Sequence, residues 1–362
     1  MRRIAIDALS ARGGGGWTYL VNLVRELERD TRGFRFTLLV HTDQLERLGA
    51  TRHVEVVPLR LPSVIARVAY EELLLPVWVR GFELLYAPAD ISPLFATVPT
   101  VVAMRNLNIY DRRYYDTARL RWLERLAKLG ARRVAKVVFP SRAAADWISS
   151  HLGIPPDRVE VVYHGVSREL FDEARDEPEP GRYAFLPAAI ERHKCILTAV
   201  RSIRSWLDPE LELWIAGGTT DPAYRELVAR EIESSGLEHR IRLLGPVDYR
   251  RMPGLYRQAQ AMILCSELET FGHPVLEAML TGCPPVVSDL PVFREIAGDS
   301  GWYFCPGEPE ALAGALNQLI ERPDERARRV AVGRERVEHF TWKRSVDDLC
   351  SVFDRVLKEA AS

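Results

Sequence analysis

Short runs rich in β-branched residues alternate with helix-length amphipathic segments along the chain, and this alternation leaves few folds open. RRIAIDAL, FRFTLLV, HVEVVPL, FELLYAP, PTVVAM, AKVVFPS and RVEVVYHG read as strands. Helical patterns such as Trp17 to Glu28 and Ala118 to Val134 lie between most of them. Strand and helix in alternation call for a parallel sheet with helices on both faces.

The alternation breaks once. Residues 167–182, SRELFDEARDEPEPGR, are charged, carry Pro178 and Pro180, and lack a core-facing stripe, so they read as an interdomain linker. It then restarts with YAFLPAA, LELWIAGG, RIRLLGPV, AQAMILCS, PPVVSD and GWYFC, and the end of the chain is mostly helical. The expectation is an α/β protein with two successive doubly wound, Rossmann-like domains, residues 1–170 and 171–342, followed by a C-terminal helix at 343–362. The 362 residues are too many for one ordinary core and suit two. Ligands of such sheets bind at the carboxyl ends of the strands, which directs the search for motifs to the loops there and to a cleft between the domains.

Composition excludes several classes. Hydrophobic content of 47% with 27% charged residues is globular, and a formal net charge of -1 gives no reason to expect nucleic acid. The five cysteines form no CxxC pair and lie in or near apolar runs, which reads as buried free thiols in a reducing compartment. The N-terminus, MRRIAIDALSARGGGG, reads as a first strand and not as a signal peptide. No run approaches the roughly 20 apolar residues that a bilayer span needs. The expected location is the cytoplasm. Peripheral contact at the inner membrane face stays open through the basic, aromatic segment 105–138, whose plainer reading is a solvated amphipathic helix packed on the sheet.

Three segments carry the chemistry. After the first strand, Gly13 to Gly16 open a helix and permit close backbone approach to a ligand. The dinucleotide fingerprint fails here, because Thr18 or Tyr19 stands where its third glycine belongs, and no Gly-Lys-Ser/Thr completes a Walker motif. In the second half, YAFLPAAIERHK leads from a strand to a helix expected from about Lys194. Only five lysines occur in the chain, and a lysine at a helix start opposes the dipole unless both face a phosphate. In CSELETFGHPVLEAMLTG, Glu269 lies in a loop at a strand end and Glu277 eight residues later inside a helix. Pro274 suits that helix's first turn and Gly282 its end. The Gly272 and His273 amides then sit at its positive end, ready for a diphosphate, and a carboxylate beside it can accept ribose hydroxyls.

The stretch from Ser266 onward, SELETFGHPVLEAMLTGCPPVVSDLPVFREIAGD, resembles the signature of the retaining, GT4-type glycosyltransferases of the GT-B fold, and Glu269 and Glu277 match their E-x7-E pattern. The resemblance extends to the glycine-rich first loop, VVFPS, VVYHGV, IAGG, LLGPV and the FTW at Phe340 to Trp342. It implies the two-domain GT-B architecture with an N-terminal acceptor domain, a C-terminal donor domain and a last helix packing back on the first domain. It also implies transfer of a sugar from a nucleotide sugar, GDP- or UDP-linked, to a glycan, lipid-linked sugar or small molecule. Glu277 would hold the ribose and Glu269 the transferred sugar. Phe271, Gly272 and His273 would contact sugar and diphosphate, Lys194 would neutralise the leaving group, and Gly217 of IAGG would belong to the donor site. The loop Gly14, Gly15, Gly16 would face donor phosphate or acceptor.

This chain departs from the pattern twice. Ala188 and Ala189 stand where the family often has Gly-Arg, leaving Arg192 to substitute. Arg105 and Asn106 stand where many members have His-Asp. Arg105 can bind an anion but cannot act as a base near neutral pH. Retention needs no base there, because the departing phosphate can take the acceptor's proton. With no Asp-x-Asp triplet in the chain, transfer is expected to be metal-free and without a cofactor. The alternative is a catalytically silent GT-B subunit that binds nucleotide sugar. His164 reads as structural.

Overall fold

The computed structural model describes residues 1–11, 14–173 and 182–362. Of the linker expected at 167–182, residues 174–181 fall outside the described residues, and Arg168–Glu173 is instead a short helix whose Phe171 is buried. The chain divides into two compact units, Met1–Gly165 with Thr341–Ser362, and Val166–Phe340.

The first unit holds a seven-stranded sheet of β1 (Arg2–Asp7), β2 (Phe34–His41), β3 (Val54–Leu59), β4 (Leu84–Ala87), β5 (Thr100–Ala103), β6 (Lys136–Phe139) and β7 (Val159–Val161). Every pairing is parallel, in the order β3-β2-β1-β4-β5-β6-β7. The strand order reverses between β1 and β4. Each of β4 and β5 is buried along its length, as a sheet covered on both faces requires.

The last helix, Trp342–Ala361, belongs to this unit. Val346, Leu349, Cys350, Phe353, Val356 and Leu357 form its buried stripe and share a core with Ile4, Ile6, Leu20, Val24 and Phe36. Phe353 lies 5.3 Å from the Tyr86 ring and 6.3 Å from that of Phe34.

The second unit holds β8 (Tyr183–Leu186), β9 (Glu212–Ala216), β10 (Ile241–Gly245), β11 (Ala261–Leu264), β12 (Pro285–Ser288) and β13 (Trp302–Phe304), all parallel in the order β10-β9-β8-β11-β12-β13. Its order reverses between β8 and β11. Both units are therefore doubly wound Rossmann-like sheets.

Two local expectations need correction. The helix after β8 does not begin at Lys194. A single 3-10 turn, Arg192–Lys194, ends in Cys195 at φ +49°, and the α-helix runs Ile196–Ser202. Lys194 therefore leaves that helix's dipole out of account. The cysteines are not uniformly buried either. Cys265, Cys283 and Cys350 are, but Cys195 is half-buried, and Cys305, where the chain turns out after edge strand β13, is exposed.

Candidate active site

In the second unit the crevice at the reversal point is built by the loops after β8 and β11, and these carry the residues that the sequence singled out. The loops are tied by the Glu267 amide, which donates to the His193 carbonyl at 3.0 Å. Across that tie, Lys194 Nζ donates to Glu269 Oε2 at 2.6 Å, joining residues 75 apart in the chain. Glu269 Oε1 accepts its neighbour Thr270's amide at 3.1 Å. Burial works to raise the pKa of Glu269, but the Lys194 ammonium and its hydrogen bond bring it below the usual carboxylate value. The Glu269 carboxylate is thus held charged against Lys194 at the mouth of a parallel sheet.

His193, which sequence reasoning passed over, completes this corner. Burial, and then the Lys194 charge, lower its pKa to about 4 against the pull of Glu269 and Glu191, so its ring is neutral near pH 7. Its signal in the sequence was only its place inside RHK. Arg192 has a partner of its own. Its Nε donates to Asp221 Oδ2 at 2.7 Å, and its guanidinium lies 5.6 Å from the Tyr224 ring centroid.

Two glycines here have steric reasons. Gly272 takes φ +87°, and a Cβ on it would meet Phe293 Cε1 at 2.8 Å. It opens the helix His273–Thr281, whose first turn contains Pro274, has no side-chain cap, and ends at Gly282 in the left-handed conformation. The positive end of this helix's dipole thus stands at the strand ends next to Glu269. At Gly217 a Cβ would lie 2.3 Å from the Ala188 carbonyl oxygen, so only glycine lets the loops after β8 and β9 pack backbone to backbone. Phe271 is buried, and its ring lies 5.0 Å from that of His273.

Glu277 is not a solvent-facing carboxylate. It is buried, and it accepts from two tyrosines, Tyr249 OH to Oε1 at 2.5 Å and Tyr256 OH to Oε2 at 2.6 Å. Burial raises its pKa against these two bonds, which lower it. Sequence reasoning missed both tyrosines. Their seven-residue spacing in YRRMPGLY, one helical face, was the available sign.

In the first unit a cavity of about 570 Å³ opens at the same kind of place, where β1, β4 and β5 end. Its polar lining includes Asp7, Asp90, Asn106 and Glu71, and its apolar walls come from Ile65 and Val68 of the helix Val64–Leu73 and Trp122 and Leu126 of the helix Ala118–Ala131. Burial raises the pKa of both Asp7 and Glu71, and the Asp7 charge raises that of Glu71 further. Asp90, in the left-handed region at φ +63°, accepts the amides of Arg105 and Asn106 on Oδ1 at 2.7 and 2.9 Å. Asn106 caps the next turn through the Asn108 amide. The Arg105 guanidinium lies 4.1 Å from the Tyr19 ring centroid and donates to the Pro88 carbonyl. Gly14, Gly15 and Gly16 form the first turn of the helix Gly14–Arg29. His164 is buried against Tyr19 and Trp342, at 5.0 and 5.7 Å between ring centroids, which is a packing role.

Comparison with known proteins accords with this architecture. The family "Glycosyl transferases group 1" matches residues 167–336, and "Glycosyltransferase Family 4" matches residues 13–170. The chain belongs to the GT4-type glycosyltransferases. It is 24% identical over 335 residues to the O-antigen chain mannosyltransferase RfbU of Salmonella typhimurium, covering 89% of this chain and 91% of that one. It is also 24% identical to a GDP-mannose:cellobiosyl-diphosphopolyprenol alpha-mannosyltransferase of Xanthomonas oryzae, over 85% of this chain and 83% of the relative. Among solved structures, the Anabaena HepE protein in complex with UDP superposes with a TM-score of 0.78 at 17% identity, over 98% of this chain and all of that one. Sucrose-phosphate synthase of Thermosynechococcus elongatus gives a TM-score of 0.81 at 16% identity over both full chains. The GT4 member described here is thus a glycosyltransferase of GT-B type. No helix among its described residues is long and apolar enough to cross a membrane.

Proposed function

We propose that the protein transfers a sugar from a nucleoside-diphosphate sugar to an acceptor hydroxyl, with retention of configuration at the anomeric carbon and without a metal ion. The observation that carries this is the Lys194–Glu269 pair, 2.6 Å apart at the strand reversal of the second unit, beside the uncapped helix start that follows Gly272. An ammonium and a helix N-terminus are what a departing diphosphate needs when no metal neutralises it. Glu269 supports positive charge at the sugar, and Glu277 lies within that same helix for the ribose.

The step balances without an enzyme base. The bond from the anomeric carbon to the diphosphate oxygen breaks, and its electron pair stays on the diphosphate. The acceptor oxygen attacks from the same face, and its proton passes to the departing phosphate oxygen. Arg105 lies over the Tyr19 ring and donates to the Pro88 carbonyl, and its guanidinium cannot serve as the base. The acceptor side is read as the cavity of the first unit, where Asp7, Asp90 and Asn106 suit sugar hydroxyls and the apolar walls suit the nonpolar faces of sugar or carrier. Exposed Ile65, Leu73 and Leu74 next to it favour an acceptor that carries an apolar chain. The GDP-mannose-dependent relative makes GDP-mannose the first donor to try, and the UDP-bound HepE structure makes a UDP-sugar the second.

The test is release of nucleoside diphosphate from each donor, with product configuration read by NMR. Lys194→Ala and Glu269→Ala are expected to lower the rate on the order of a hundredfold or more, as loss of one charge-stabilising group does. Chelator should leave it unchanged. Release that survives both substitutions, or an inverted product, overturns the proposal. Nucleotide binding with no turnover on any acceptor would instead mark a silent partner subunit.

A further inference from the structure

The Glu277 carboxylate has a feature that the E-x7-E pattern does not contain. Its two oxygens are taken by two tyrosine hydroxyls from quite different positions. Tyr256, in the helix Met252–Gln258, is fully buried, and its ring packs edge-on against Phe185 at 5.2 Å. Tyr249 lies in a single 3-10 turn, Tyr249–Arg251, just after β10, and is 40% exposed. Asp248 caps that turn by accepting the Arg250 amide at 3.0 Å, and Gly245, at φ +67° with open space around it, precedes it. Of the two partners of Glu277, only Tyr249 reaches solvent. Tyr249 is therefore the partner that can leave Oε1 without opening the core.

We infer that Tyr249 is a positioning residue whose hydroxyl holds on Glu277 Oε1 the place that a ribose hydroxyl takes, while Tyr256 fixes Oε2 throughout. This rests on the reading of Glu277 as the ribose-binding carboxylate. A buried carboxylate stripped of a donor is costly, so a surrogate hydroxyl keeps the site folded and its carboxylate aimed. Nucleotide binding then exchanges one hydroxyl–carboxylate bond for another, and Tyr249 swings out on its turn. The exchange makes affinity depend on a ribose that can replace the tyrosine, which discriminates against a nucleotide lacking those hydroxyls.

Calorimetry with UDP, GDP and their 2′,3′-dideoxy analogues tests this on the full chain and on Tyr249→Phe, Tyr256→Phe and Glu277→Gln. Tyr249→Phe removes the competitor and leaves Oε1 short of a donor, so it should bind the ribonucleotide tighter, on the order of tenfold. That gain should vanish for the dideoxy analogue, and Tyr256→Phe should show none. A Tyr249→Phe gain equal for ribo and dideoxy forms, no gain, or a loss overturns the inference, as does the same gain in Tyr256→Phe. If Glu277→Gln binds the ribonucleotide as well as the unchanged chain does, or if neither UDP nor GDP binds, the ribose reading itself fails. If Glu277→Gln weakens binding while Tyr249→Phe changes nothing, only the tyrosine exchange fails.

Discussion

At the scale of residues, the candidate site is a set of charges whose ionisation is fixed by their neighbours. Glu269 is held below its usual pKa by Lys194, and the same lysine, added to burial, lowers the His193 pKa to about 4 from an ordinary 6.5. Between those two values the unfolded chain binds a proton on His193 that the folded chain does not. Stability therefore falls as pH is lowered from about 6.5 toward 4; the contribution is fully present above the unfolded value and lost as pH passes below the folded one. His193→Gln should flatten this part of the stability curve measured by urea unfolding. An unchanged slope would show that His193 is exposed to protonation in the folded state. How far such detail could be read in advance depends on the residue. Glu269 and Lys194 were legible because a rare lysine and a loop carboxylate at strand ends are informative by position. Tyr249, Tyr256 and His193 were not, because the tyrosines' roles arise from a partner 28 and 21 residues away and that of His193 from burial. Arg192 was legible as a cation, but not as the partner of Asp221.

Single elements were readable where pattern alone decides them. The thirteen strands among the described residues coincide with the segments marked out in the sequence, β2 running one residue further to His41, since a sheet covered on both faces needs continuous apolar runs. Helix starts were less so. The start expected at Lys194 lies two residues later, at Ile196, because Cys195 adopts a left-handed conformation that no residue type announces. The start at Gly272 was announced, and its glycine is required twice over, by φ +87° and by the Phe293 ring. Gly272→Ala should therefore destabilise the second unit by about 1–3 kcal/mol, the usual range for a strained backbone position. It should also weaken nucleotide binding, because the loop that aims Glu269 and the helix that carries Glu277 meet at this residue. Denaturant unfolding and calorimetry read the two effects separately, and an alanine variant of unchanged stability would remove the steric argument.

For the molecule as a whole, the decisive feature is that the chain leaves the first unit at Gly165, builds the second, and returns at Thr341 to finish the first. The composition break at 167–182 revealed that there are two sheets, whereas the return rests on the amphipathic stripe of the last helix meeting a core built 300 residues earlier. Deleting Trp342–Ser362 should strip Val346, Leu349, Phe353 and Val356 from that core and abolish the cooperative melting of the first unit. The second unit should keep its own transition in scanning calorimetry. An intact first transition would show that its sheet is self-sufficient. The same feature sets an order of events during synthesis. The core that begins with Ile4 is closed by Leu357, made only after the whole of the second unit. At a ribosomal rate of about 5–20 residues per second, the first unit waits roughly 9–35 seconds, while residues 166–340 are added, before it can complete itself. Of the two units, the one begun first is thus the one that matures last.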